Sequence, residues 1–526
     1  MATLDDLLAS LPARIDQILS PSHLAAMAVS ESAPALIQDG RQWSYQALAG
    51  HVTASAALLG DYGVRAGDRV MLVGENSAAL AVLILALSRL DAWAVIVNAR
   101  LNAHEIDALQ AHCQPRCLLY TVNVSPDAAA HSTRHAAQPL LLPGVDTVAI
   151  SALDTDSKPE PVHADPARQV AALIYTSGTT GQPKGVMLTH RNLLFIAAVS
   201  SRLRGLTPSD RAYGVLPVSH VFGLASVFLG TLYAGASLQL VARFEPAAVL
   251  HALQDDLSVL QGVPAMFAKL FDHIRRSGQP LLAPRLRFLY AGGSPLDPSL
   301  KARIEQAFGV TLHNGYGLSE TSPTVCQTRP ENPRSDCSVG PPIPFVEVQL
   351  RALQGGGLVA TGETGELWVR GPNVMLGYYR NPAQTAEVID AEGWLNTGDL
   401  ARQTADGALF IEGRSKELII RSGFNVYPLD IETVLNTHPE VVHSAVVGRS
   451  VADNEEVIAF VELAPGSRLD TATLSAFAAA RLAAYKRPSE IIILPALPAA
   501  ANGKVLKNQL KTLACKNQTD GAVDAL

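Results

Sequence analysis

Between residues 68 and 120, strand-like and helix-like stretches alternate, and this rhythm limits the fold more than any other feature of the chain. DRVMLVG (68–74) and AVIVNA (94–99) are short apolar runs of the kind found in strands covered on both faces. SAALAVLILALSRL (77–90) and HEIDALQAHC (104–113) have the length and spacing of helices. Consecutive parallel strands need a crossover connection, usually a helix, so the alternation predicts a parallel sheet with helices packed on it. Similar strand patterns recur at AALIYT (171–176), SLQLVA (237–242), LRFLYAGG (286–293) and VTLHNGYG (310–317).

The pattern changes elsewhere. Residues 124–168 are rich in Ala, Pro, His and Asp, and are expected to be a connecting stretch. From about 340 come short alternating runs, EVQLRAL, GELWVRG and ALFIEGR, separated by glycines; these predict antiparallel strands in a smaller, barrel-like β unit. After Arg414 the chain reads LIIRSG (strand), PLDIETVLNTH (helix), VVHSAVVGRS and EVIAFVEL (strands), DTATLSAFAAARLAA (helix) and EIIILP (strand). That is long enough for a separate α+β domain. The expected fold class is α/β, with a large N-terminal domain over 1–413, a hinge at 414–416 and a small C-terminal domain over 417–526.

Bulk properties remove several functions. The chain has 526 residues, too many for one compact core. It carries 41 basic against 48 acidic residues, a net charge of -7 with no basic block, which argues against a nucleic-acid binder. The N-terminal twenty residues carry early acids and helical leucine spacing, unlike a secretory leader. The most apolar segment, Ala78 to Leu87, is too short to span a bilayer. Five scattered cysteines do not form a disulfide framework and point to a reducing cytoplasm.

The densest chemical signal is Tyr175-Thr-Ser-Gly-Thr-Thr-Gly-Gln-Pro-Lys-Gly185, after an apolar strand and before a helix-like run. Hydroxyl side chains and glycines at a strand end let hydroxyls and backbone N–H groups surround a polyphosphate. It is not a Walker loop, because Gly185 follows Lys184 where a magnesium-binding Ser or Thr is required.

This loop resembles the phosphate loop of the adenylate-forming superfamily: acyl-CoA synthetases, peptide-synthetase adenylation domains and beetle luciferases. The other family segments follow in order along nearly the whole chain. The resemblance implies that Thr176, Ser177, Gly178, Thr179, Thr180 and Lys184 hold ATP phosphates. Asn314 to Pro323 resembles the adenine and magnesium segment, with Tyr316 and Gly317 at the adenine, Glu320 on Mg²⁺ and Thr321 on the α-phosphate. Asp399, in Gly393 to Asp399, and Arg414 are implied at the ribose. Gly292 and Gly293 lie between adenine and acid by similarity, and His220 is the gate beside the carboxylate. Asn502-Gly-Lys504 matches the segment carrying the adenylation lysine. Lys416 is the implied pivot, and Gly423 the implied lining of a coenzyme A channel. Taken alone, each of these segments is also an ordinary turn or surface group.

The implied reaction is ATP-dependent activation of a carboxylic acid to acyl-AMP with release of pyrophosphate, then transfer to coenzyme A. The alternatives are a ligase loading a carrier protein and a silent nucleotide- or acyl-binding homologue. His220-Val-Phe-Gly-Leu-Ala-Ser-Val-Phe contains no acid to hold an α-ammonium and no cation to hold a second carboxylate. An apolar fatty or aromatic acid is therefore expected. Oligomeric state is open, a homodimer included.

Overall fold

The computed structural model describes residues 3–177, 183–421, 424–451, 454–499 and 505–520, with Ser177 and residues 516–520 by backbone alone. Two eight-stranded sheets organise the larger part of the chain. The first runs Gly377–Tyr378, Pro183–Thr189, Val170–Ser177, Trp93–Asn98, Arg69–Gly74, Cys117–Tyr120, Thr147–Ile150 and Gln138–Leu141. The three pairings among its four middle strands, from Val170–Ser177 to Cys117–Tyr120, are parallel where the sequence predicts them, and the strands toward both edges are antiparallel. The second sheet runs Thr324–Gln327, Leu312–Gly317, Phe288–Ala291, Val259–Gly262, Arg211–Gly214, Ser237–Leu240, Pro34–Gln38 and Arg41–Ser44. It too is parallel inside an antiparallel strand at each edge.

One continuous core joins the sheets and includes the helices Ala78–Arg89 and His190–Leu203. Ala78 to Ser88 is buried on every side, which explains a segment apolar all round yet only twelve residues long. Each of Leu80, Leu83, Ile84, Leu85 and Leu87 contributes roughly 1.5–3 kcal/mol by leaving water. Ser77 caps the helix start by accepting from the Leu80 N–H at 3.2 Å. No helix among the described residues is long and apolar enough to cross a membrane.

Two local expectations are corrected. Residues 124–168 are not merely a connection: they contain the helix Pro126–Arg134 and the strands Gln138–Leu141 and Thr147–Ile150. The helix is started by Ser125 and by proline in its first turn, and the strands extend the sheet beyond Cys117–Tyr120. The helix buries only Ala128 and Ser132 and Gln138–Leu141 is largely exposed, so neither shows an apolar periodicity. The threonine-rich loop, in turn, does not lead straight into a helix. It joins antiparallel strands, with Thr176 opposite Lys184, and the helix starts only at His190.

The smaller β unit is a four-stranded antiparallel sheet in the order Glu347–Arg351, Thr364–Arg370, Leu395–Gln403 and Leu409–Arg414. Beyond a short turn at Ser415–Glu417, a three-stranded sheet (Val441–Val451, Asn454–Leu463, Glu490–Leu494) is covered on both faces. Ile431, Leu435, Leu474 and Ala478 pack on one face. Leu510 and Ala514 of the last helix pack on the other. This part of the chain thus has cores of its own.

Candidate active site

Two of the expected segments lie at the carboxyl ends of parallel strands, where open α/β sheets accept ligands. Tyr316 and Gly317 end the strand Leu312–Gly317, and Gly292 and Gly293 follow Phe288–Ala291. Gly317 has a structural reason of its own, since a Cβ there would overlap the Pro323 carbonyl oxygen.

Asp399 is the anchor of a polar cluster with Tyr316 and Arg414. It is 5% exposed, accepts a short hydrogen bond from the Tyr316 hydroxyl and pairs with Arg414 Nε at 3.1 Å. Register produces the pairing, because Asp399 and Arg414 face each other across the strands Leu395–Gln403 and Leu409–Arg414. Asp399 raises the pKa of Arg414, with smaller contributions from Glu417, Tyr316 and Glu320. Burial, reinforced by Asp399, keeps the Tyr316 hydroxyl protonated.

Glu320 is reached through a residue that the sequence did not flag. The Tyr378 hydroxyl donates to Glu320 Oε1 at 2.8 Å, and the Met375 N–H donates to the Glu320 carbonyl at 2.9 Å. Lys184 Nζ lies 5.3 Å from the centre of the Tyr378 ring, so this tyrosine joins the phosphate-loop strand to the Glu320 turn. Burial, then Glu320, pushes the Tyr378 hydroxyl pKa upward, so it remains a donor. Its backbone is set by pairing of Gly377–Tyr378 with Pro183–Thr189. Asn192 Nδ2 holds the preceding stretch through the carbonyls of Pro372 (2.8 Å) and Val374 (3.0 Å). Nothing in GYY marks it in sequence, because the partner is 58 residues away.

Thr321 is engaged within its own turn. Its fully buried hydroxyl donates to the Pro323 carbonyl at 2.6 Å and accepts from the Leu318 N–H at 3.1 Å, so it holds the turn together. Ser322 Oγ is likewise committed, to the Asn373 carbonyl at 2.8 Å. Among the described residues, Ser319 Oγ has no such hydrogen bond, and Ser319 immediately precedes Glu320. The Thr321 hydroxyl is thus engaged within its own turn, whereas that of Ser319, among the described residues, is not.

His220 lies just before the tightly buried π-helical turn Phe222–Leu229. Phe222 N–H donates to His220 Nδ1 at 3.3 Å, which places the proton of a neutral ring on Nε2. Phe222 and Tyr290 meet edge-to-face at 5.8 Å. A Cβ on Gly292 would lie 3.1 Å from Tyr290 and 3.3 Å from Phe222, so glycine keeps this wall open. Gly293 adopts φ +83°, a conformation suited to glycine. Gly178, Thr179, Thr180, Gly423 and Lys504 lie outside the described residues, as does the side chain of Ser177. No group of three or more His, Cys, Asp or Glu among the described residues forms an all-protein metal site.

Comparison with known proteins fits this geometry. The AMP-binding enzyme family matches residues 25–379, and its C-terminal domain matches residues 430–504. The chain belongs to the AMP-binding enzyme family. Among relatives of this AMP-binding enzyme, a feruloyl-CoA synthase of Amycolatopsis sp is 35% identical over 488 residues, covering 92% of this chain and 96% of the relative. An indoleacetate–CoA ligase of Aromatoleum aromaticum is 33% identical, covering 90% and 94%. ATP-bound MatB from Rhodopseudomonas palustris superposes with a TM-score of 0.83 at 29% identity, over 95% of this chain and 98% of that one.

Proposed function

We propose that this AMP-binding enzyme is an acid–thiol ligase that converts a carboxylic acid to acyl-AMP and then to a coenzyme A thioester. The observation that carries the proposal is the joining of Tyr316, Asp399 and Arg414 in one cluster and of Lys184, Tyr378 and Glu320 in another, with Glu320 acting electrostatically on Arg414. Asp399 accepts from the ribose hydroxyls, Arg414 steadies it, and Tyr316 lies along the adenine. Thr176, Lys184 and Ser319 meet the phosphates, together with Ser177, Gly178, Thr179 and Thr180.

A magnesium ion bound to ATP takes most of its ligands from phosphate and water and needs only one or two carboxylates. Glu320 fits that demand, because Tyr378 occupies one of its oxygens. When bound, the ion would neutralise charge on the phosphates. His220 borders the acid carboxylate, and Lys504 adds a cation where negative charge builds at the α-phosphate. The C-terminal domain, turning about 414–416 with Lys416 as pivot, withdraws Lys504 and brings Gly423 to the thiol path. The Phe222–Tyr290 wall suits a fatty or aromatic acid. Five free thiols suit a reducing compartment such as the cytoplasm.

The test is a panel of acids assayed for pyrophosphate release, with and without coenzyme A. Acid-dependent pyrophosphate and a coenzyme A thioester are expected; ADP formation, or thioester only on a carrier protein, contradicts the proposal. Within the same assay, Tyr378→Phe frees Glu320 from its hydrogen bond at a cost of about 1–2 kcal/mol, so the Mg²⁺–ATP requirement should rise roughly 5- to 30-fold. An unchanged requirement would remove Tyr378 from the site.

A further inference from the structure

The apolar gate segment gives no reason to expect a charge beside the acid pocket, yet the fold brings one there from elsewhere. Arg204 follows the helix His190–Leu203 and is 1% exposed. Its guanidinium lies 4.7 Å from the centre of the Tyr290 ring, and the same ring forms the wall with Phe222 beside Gly292. One aromatic ring therefore touches both a buried cation and the edge of Gly292.

The partners of Arg204 are all neutral. Nη1 donates to the Ser226 carbonyl at 2.9 Å and to Gln261 Oε1 at 2.7 Å, and Nε donates to Gln327 Oε1 at 3.3 Å. Among the described residues no carboxylate pairs with it, and Nη2 has no hydrogen-bond acceptor. Gln261 Nε2 and Gln327 Nε2 are also buried without acceptors. Three donors thus gather at this guanidinium without a geometric hydrogen-bond acceptor, the neutral Tyr290 hydroxyl being the other polar group that faces Arg204, although buried polar groups are normally satisfied. Burial lowers the pKa of Arg204, but an arginine remains charged. An uncompensated buried charge is costly, and sites of this kind concentrate where a ligand supplies the partner.

We propose that Arg204 selects the substrate: the acid carries a carboxylate or carbonyl oxygen at its far end, received by Arg204 with Gln261 and Gln327 when the Tyr290 ring turns aside. This inference rests on the acid-activating reading above. It changes the expectation of a plain apolar acid, which considered only the residues following His220. A hydrocarbon tail would leave all three donors unmet, and a site built for a polar group rejects the analogue lacking it.

The test compares acids matched in length: octanoate with suberate, nonanoate with 8-oxononanoate, and cinnamate with 4-carboxycinnamate. Pyrophosphate release by the wild-type enzyme gives kcat/KM for each. At least one oxygenated member should exceed its hydrocarbon partner by roughly tenfold or more. Arg204→Met should abolish that preference, and Arg204→Lys should restore part of it. Hydrocarbon acids used as well as or better than every oxygenated partner by the wild type would overturn the proposal while leaving the ligase reading intact. So would a preference that is unchanged in a folded Arg204→Met enzyme, checked by its melting transition. Failure of every acid to release pyrophosphate would remove the ligase reading and this inference with it.

Discussion

Asp399→Asn is expected to raise KM for ATP by about 30- to 150-fold, the equivalent of roughly 2–3 kcal/mol for losing a charged acceptor at the ribose. The substitution keeps the shape of the side chain and one acceptor oxygen. It removes the charge that holds Arg414 and the oxygen pair shared between Tyr316 and the ligand. The Arg414 side chain is 42% exposed, so water can replace much of what it loses and the fold should survive. The measurement is ATP dependence of pyrophosphate release at saturating acid, alongside a melting curve. A KM within threefold of wild type would show that Asp399 does not hold the nucleotide.

The second large effect concerns one half-reaction only. Lys504→Ala should slow acid-dependent pyrophosphate release by about 100- to 1,000-fold, the scale of roughly 3–4 kcal/mol seen for removal of a group aimed at developing negative charge. Formation of the thioester from synthetic acyl-AMP and coenzyme A should proceed near the wild-type rate. On the proposed reading, Lys504 is needed while carboxylate and phosphate, both anionic, approach each other. No such convergence occurs when a thiol attacks the mixed anhydride. Equal slowing of both steps would contradict the alternation of the C-terminal domain.

The elements predicted between 68 and 120 were legible because the strands and the helix Ala78–Arg89 are buried on both sides, while the helix Ala103–Cys113 keeps one apolar stripe at Ile106, Leu109 and Cys113. The helix Pro126–Arg134 and the strand Gln138–Leu141 lie at a sheet edge, where polar residues are tolerated and periodicity fades. The site shows the same division. Asp399 and Glu320 stand in local motifs, while Tyr378 and Arg204 gain their roles from partners that only the fold brings near. Thr321 and Ser319 illustrate a finer limit: neighbouring hydroxyls look alike in sequence, and only the hydrogen bond to Pro323 shows which one the backbone has claimed.

Lys507 Nζ sits between Glu417 at 3.0 Å and Glu432 at 2.9 Å. The last helix, the helix Pro428–Asn436 and the turn after Arg414 are thereby strapped into a single block. Any swing of the tail must therefore carry Glu417 along as cargo, leaving the two residues after Arg414 to absorb the twist. Cutting that strap, as in Lys507→Ala, would let the motion spread along the backbone instead of concentrating at one swivel.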